Sequence, residues 1–223
     1  MMETETHPVV YGDWMEAGLD KPTILIYGHF DVQPVDAVSL WDSDPFDPVL
    51  SSIDNEPCII ARGASDDKGQ LLTFLIALKY IKNEVGELPF SLKIFLDGEE
   101  ECGSKTLPIF LEDYKDKLSA HVAYVCDTGM WDKDTPAITR SLRGLLSEEF
   151  KIIGPDRDLH SGEFGGVAWN PIRIITKILS DVYDDEGKVT IPNFYDGVNE
   201  VNENIINSWK ILSFNETEYL NKI

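Results

Sequence analysis

The 223-residue sequence is short of cysteine, of positive charge and of long apolar runs, and each shortage narrows what the protein can be. Its three cysteines, Cys58, Cys102 and Cys126, are an odd number without CxxC spacing. That pattern excludes a disulfide framework and favours reduced thiols in a cytoplasmic setting. Cys58 and Cys126 lie inside apolar runs and read as small core residues. Cys102 adjoins a run of glutamates, but its spacing is not that of a zinc-binding thiolate. The 19 lysines and arginines face 40 acidic residues, a formal net charge of -21. Nucleic acid and anionic membrane surfaces would repel such a chain, so neither is expected as a partner. No segment approaches the roughly 18 apolar residues of a membrane span. The opening residues, MMETETHP, are polar and acidic, unlike a secretory signal. No internal repeat or low-complexity tract is present.

What the chain does contain is enough apolar material for a sizeable core, 43% of its residues, in one large domain or parts of two. Residues 1–20 carry little pattern. A first strand is predicted at Thr23–Tyr27 and a structured loop at Gln33–Val49. A second strand is predicted at Cys58–Ala61, followed by a helix from Asp66, its expected N-cap, to about Lys82. In that helix Leu71, Leu72, Leu75, Leu78 and Ile81 share a face, widened by Phe74 and Ile76. A third strand, Phe90–Leu96, breaks at Asp97-Gly98 and runs into Glu99, Glu100 and Glu101. A helix over about Lys105–Leu118 follows, with Ser104 as a cap, and then a fourth strand, His121–Cys126. Strands alternating with helices predict an α/β class with a largely parallel sheet flanked by helices.

Ligands of such sheets gather at the carboxyl ends of the strands. His29 and Asp31 follow the first strand, Asp66 the second, Glu99–Glu101 the third and Asp127 the fourth. Any one of these reads as a turn residue, a helix cap or a solvated acid. Their coincidence on one edge predicts a metal site. A histidine among several carboxylates suits zinc or manganese and differs from a calcium loop. Carboxylates can bridge two cations, a clamp for hydrolysis. Of adjacent glutamates one then binds metal and its neighbour takes a proton from water. Asp31 is near enough in sequence to accept a hydrogen bond from the other nitrogen of His29.

Five segments carry a resemblance: YGHFDVQP at 27–34, RGASDDKG at 62–69, EECGS at 100–104, Asp127, and DLHSG at 158–162. Together they resemble the co-catalytic zinc metallopeptidases. That family includes carnosinase-type and bacterial dipeptidases, carboxypeptidase G, aminoacylase, and the acetylornithine and succinyl-diaminopimelate deacylases. From Val10 to about Val201 the chain is most similar to the carnosinase-type branch. The resemblance implies a phosphorylase/hydrolase-like catalytic domain over 1–140, incomplete, and the start of a smaller α+β dimerisation or lid domain over 141–223. It implies two divalent ions, zinc first, with manganese or cobalt as alternatives. His29, Asp66 and Asp127 would hold the first, with Asp66 bridging to a second bound by Glu101. Glu100 would be the general base and Asp31 the carboxylate behind His29. Asp67 would not bind, and Glu99 would be solvated. His160 would reach across a homodimer to the partner's substrate carbonyl. The implied reaction is cleavage of a dipeptide or small-peptide amide by metal-activated water.

Family members are longer and supply a further histidine to the second metal from a later segment. Within the second region a strand is expected at Leu145–Ile153, a helix at Asn170–Tyr183 with Pro171 at its first position, and a short strand near Val189. The chain therefore reads as an N-terminal fragment, expected to be nearly inactive alone and prone to associate. Two other readings remain open at this point: an N-acyl amino acid deacylase using the same atoms, and an inactive metal-binding or dimerisation fragment.

Overall fold

The computed structural model describes residues 1–53, 55–212 and 214–221, and they divide into two units, Met1–Arg143 and Gly144–Ile223. The first unit runs β1 (Val10–Trp14), β2 (Thr23–His29), β3 (Val49–Ile53), β4 (Glu56–Ile60), α1 (Lys68–Val85), β5 (Ser91–Asp97), α2 (Leu107–Asp113), α3 (Lys115–Leu118) and β6 (Val122–Val125). Four of these strands form one sheet in the order β1-β5-β2-β6. β2 is parallel to both β5 and β6, while β1 is antiparallel to β5.

Side chains alternate across this sheet with the period of a strand. Ile24, Ile26, Leu92 and Ile94 face α1 through Leu71, Phe74 and Leu78. Leu25, Tyr27 and Phe95 face the opposite layer, built from Phe110 and Leu118. The mostly parallel α/β layer read from the sequence is therefore present. Register then places the site: His29 lies opposite Asp97, and Tyr27 opposite Val125. The three strands end level, so whatever follows them meets on one edge. Among the described residues β6 is one edge of the sheet and β1 the other, and all residues of β6 are exposed.

Several local expectations are corrected. The apolar run at Cys58–Ala61 does not enter the sheet; it is β4, paired antiparallel with β3 in a separate hairpin. Its apolar residues Leu50, Ile53 and Ile59 stay exposed, which an apolar run cannot reveal about itself. Asp66 is not the cap of α1; Asp67 holds that position, and its side chain caps no helical N–H. The buried face of α1 uses Leu71, Phe74 and Leu78, whereas Leu72 and Ile76 are more than half exposed. The helix expected over 105–118 breaks into α2 and α3 at Tyr114. Ser104 adopts a φ of 43° and caps nothing, because α2 starts later, after Thr106. β1, an edge strand whose sequence VYGDW mixes polar and apolar residues, carried no readable pattern. Cys58 is half-buried, Cys102 exposed and Cys126 buried, and all three are free thiols.

The second unit contains α4 (Ser161–Phe164), α5 (Pro171–Asp181), α6 (Glu203–Ile211) and α7 (Glu216–Leu220). Asn170, Asn202 and Asn215 each accept a helical N–H at the N-caps of the last three. Leu145–Ile153 is not a strand: residues 136–155 form no helix or strand, and no described segment offers them a ladder partner. The strand expected near Val189 is a single antiparallel bridge to Tyr183.

Phe95, 2% exposed, stacks on Tyr27 at 5.6 Å and meets Phe110 at 5.5 Å between ring centres. Phe95→Ala is expected to cost about 3–5 kcal/mol, the usual range for a buried aromatic. Denaturant unfolding of the chain measures it, and a loss under about 1 kcal/mol would mean that this face of the sheet is not a packed core.

Candidate metal centre

β2 delivers His29 to the sheet edge fully buried. Gly28 precedes it for a steric reason: a Cβ there would lie 2.7 Å from Asp67 Oδ2. That carboxylate oxygen accepts the His29 N–H at 3.0 Å. The ring is oriented from its other side. Nδ1 lies 3.1 Å from the Asp31 backbone carbonyl and 3.3 Å from Asp31 Oδ1. A carbonyl only accepts, so Nδ1 carries a hydrogen and Nε2 is the nitrogen left to face the acids. Nε2 stands 2.9 Å from Asp66 Oδ1, 3.8 Å from Asp127 Oδ2 and 4.0 Å from Glu100 Oε2.

Asp31 also organises the glutamate turn. Its Oδ1 accepts the Glu100 N–H at 3.2 Å and its Oδ2 the Glu101 N–H at 3.0 Å. The carboxylate is thus shared between the histidine and the backbone of the two glutamates. Gln33 then reaches Glu101, its Nε2 donating to Oε2 at 2.7 Å and to the backbone carbonyl at 3.0 Å.

His29, Asp66 and Glu101 offer ligand atoms within 4.8 Å of one another, and so do His29, Glu100 and Asp127. Burial lifts the carboxyls of Asp67, Glu100 and Asp127 above the usual range; their acidic neighbours add to the rise, and His29 opposes it. Burial alone would lower His29, but its bond to Asp66 and the charges of Glu100, Asp67 and Asp127 raise it instead. Among the described residues no lysine or arginine forms an ion pair with these carboxylates. The donor set therefore fits a divalent cation: it is rich in oxygen, includes one imidazole, and lacks a positive counter-charge.

The structure brings together His29, Asp31, Asp66, Glu100, Glu101 and Asp127 within the first unit. His160 lies in the second unit, exposed at the N-cap of α4, with Nδ1 accepting the Gly162 N–H at 3.1 Å. Two residues, Gln33 and Glu99, were missed or misjudged. Asp67, read as a non-ligand, belongs to none of the converging ligand groups; it is fully buried, and its Oδ1 has no hydrogen-bond partner among the described residues. Gln33 had no assigned role. Glu99 was expected in solvent and is 3% exposed. Burial alone would raise its pKa, but hydrogen bonds from Thr106 and Thr6 bring it down to about 2. Asp67 carried a signal in its place just ahead of an apolar helix. Glu99 carried none, since its partners lie far away in sequence or beyond the turn.

A family model described as "Peptidase family M20/M25/M40" matches residues 25–213. The chain is 34% identical over 210 residues to the Beta-Ala-His dipeptidase of Homo sapiens, which covers 92% of this chain and 41% of that protein. It is 35% identical over 198 residues to the Cys-Gly metallodipeptidase dug1 of Schizosaccharomyces pombe, covering 87% of this chain and 40% of that one. Among solved structures, an M20 family metallo-carboxypeptidase, Sso-CP2 from Sulfolobus solfataricus, superposes with a TM-score of 0.74 at 31% identity, covering 99% of this chain and 49% of its own. Human carnosine dipeptidase 1 gives 0.63 at 30% identity, over 96% of this chain and 45% of its own. The chain spans about two fifths of the length of the curated relatives it matches. By the reach of the family match and by these identities, it belongs to peptidase family M20/M25/M40.

Proposed function

We propose that this chain carries the metal-binding edge and the general base of a metal-dependent dipeptidase. The observation that carries the reading is the convergence of one buried imidazole and several carboxylates with no lysine or arginine ion-paired to them among the described residues. The names of the relatives, dipeptidases for β-Ala-His and Cys-Gly, support a small peptide as substrate. His29, Asp66 and Asp127 would hold one divalent ion, and Asp66 with Glu101 would hold part of a second. When bound, such ions supply the Lewis acidity that activates water and polarises an amide carbonyl. Zinc fits this donor set first, with manganese or cobalt as alternatives.

The chain's own residues do the rest. Asp31 fixes the tautomer of His29 through Nδ1 and holds the Glu100 and Glu101 backbone in place. Glu100, raised by burial and by its acidic neighbours, takes the proton of the attacking water at a carboxylate oxygen and returns it to the leaving amine. His160 would donate to the carbonyl oxygen as negative charge develops there. The residues around it would serve as the surface of a homodimer. The region up to about residue 140 would be the N-terminal part of the catalytic domain and the remainder the start of the lid domain. Free thiols support a cytoplasmic setting.

Asp66→Ala is expected to remove metal from both positions, because one carboxylate serves both. Metal analysis of the dialysed chain measures it, and an undiminished metal-to-protein ratio would refute the bridging role. In the gene product that contains this chain, Glu100→Ala is expected to keep its metal and lose turnover on dipeptides by roughly two to four powers of ten. Hydrolysis of N-acetyl amino acids in place of dipeptides would move the reading to a deacylase. Loss of metal along with turnover would make Glu100 a ligand.

A further inference from the structure

Glu99 is the most deeply buried of the three consecutive glutamates, and it does not point at His29. Its Oε1 accepts the Thr106 N–H and the Thr106 hydroxyl, each at 2.5 Å. Its Oε2 accepts the Thr6 hydroxyl and lies 3.8 Å from His7 Nδ1. One carboxylate thus ties the start of α2 to the N-terminal segment across the top of the glutamate turn.

The N-terminal segment is itself held in place. Met2 and Val9 exchange backbone hydrogen bonds at 2.7 and 2.9 Å, closing residues 2–9 into a loop. Thr4 Oγ1 donates to the His7 carbonyl at 2.6 Å inside that loop. Val9 anchors it, 3% exposed, against Phe95 and Phe110. The fit to the turn is close: a Cβ at Gly98 would lie 2.4 Å from the Pro8 carbonyl oxygen. The turn's own bonds radiate from Glu99 as well. The Glu99 carbonyl accepts Ser104 N–H at 2.8 Å and Cys102 N–H at 3.2 Å, and the Glu99 N–H donates to Asp97 Oδ1 at 3.0 Å.

His7, Glu99 and Cys102 also bring their ligand atoms within 4.8 Å of one another. Both oxygens of Glu99 are already engaged by hydroxyls and an amide, so the group reads as a bracket and not as a third cation site. The turn is therefore held from two sides, with Gln33 adding to the site side. Asp31 grips the N–H groups of Glu100 and Glu101 from the site side, and Glu99 grips Thr6 and Thr106 from the far side.

We propose that Glu99 is a positioning residue: by bridging Thr6 of the N-terminal loop to Thr106, it fixes the turn that presents Glu100 and Glu101 to His29. This rests on the dipeptidase reading for its meaning, but the geometry it asserts can be tested without activity. Without the Glu99 side chain, the turn would keep its Asp31 and Gln33 contacts on the site side but lose its anchor on the far side, and both glutamates would be less firmly placed relative to the imidazole. Outer groups that orient ligands in this way typically change metal affinity by about 10- to 100-fold.

The test uses the 223-residue chain with Glu99→Ala, Glu99→Gln and Thr6→Val. Leu92→Ala, a core variant in the cluster on the opposite face of the sheet from Val9, serves as a control for general destabilisation. Amide hydrogen exchange at Glu100 and Glu101 is read by NMR, and Zn2+ affinity by titration, both well below each variant's Tm. Glu99→Ala is expected to speed exchange at the two amides and to weaken Zn2+ binding by about tenfold. Glu99→Gln is expected to restore most of both, since its amide oxygen still accepts from Thr106 and its NH2 can donate to Thr6. If Glu99→Ala does not fold, Thr6→Val, which deletes a single bond of the bracket, gives the same readout. Unchanged exchange at both amides would overturn the proposal, as would an equal effect from Leu92→Ala. A wild-type chain that binds no Zn2+ would overturn the metal-centre reading instead, and exchange alone would then decide the role of Glu99.

Discussion

The first unit is organised around the burial of one imidazole among carboxylates. Like charges this close resist being brought together, and each loses solvation on entering the fold. The chain meets that cost with backbone geometry. Parallel pairing of β2 with β5 and β6 brings three strand ends level, and the core on both faces of the sheet holds them there. His29 then becomes the one group that all of the acids share, with Asp66, Glu100 and Asp127 ranged about Nε2 and Asp31 behind Nδ1. A cation bound among them would supply the positive charge that these acids lack. Metal binding and folding are thereby linked, since binding to the folded chain alone stabilises it by mass action.

Much of this was legible in the sequence, for physical reasons that differ from element to element. β2 and β5 were readable because buried parallel strands are apolar on both faces, and β6 because Val122–Val125 is a short apolar run even though the fold leaves it exposed. The candidates His29, Glu100, Glu101 and Asp127 were readable because they end or follow those strands, whereas Asp66 comes after the separate hairpin. β1 was not, since an edge strand with one wet face tolerates Gly12 and Asp13. β4 looked like a sheet strand because local composition cannot tell a hairpin from a core strand. The exposed face of α1 went unseen for a related reason: a helix apolar over most of its circumference does not say which side is packed.

The misjudged acids teach a sharper lesson. Glu99, Glu100 and Glu101 are chemically identical and adjacent, yet the fold gives them three different environments. Glu99 is locked against threonines, Glu100 faces His29 with a raised pKa, and Glu101 is held by Gln33. The difference comes from partners that the fold alone brings near, at positions 6, 29, 33 and 106. Asp66 and Asp67 divide in the same way, one bonded to the histidine ring and the other to its backbone. In both runs the motif marks the neighbourhood, and tertiary contacts assign the work.

The position of β6 has a mechanical meaning. His29 ends a strand paired on both sides, whereas Asp127 follows a strand whose ladder is one-sided and whose residues are all exposed. Edge strands open at lower free energy than central ones. Among the described residues the two walls of the site therefore differ in stiffness: His29 stands on the wall that β2 and β5 pack into the core, and Asp127 on a wall held from one side, the one that would yield first to a bound ion.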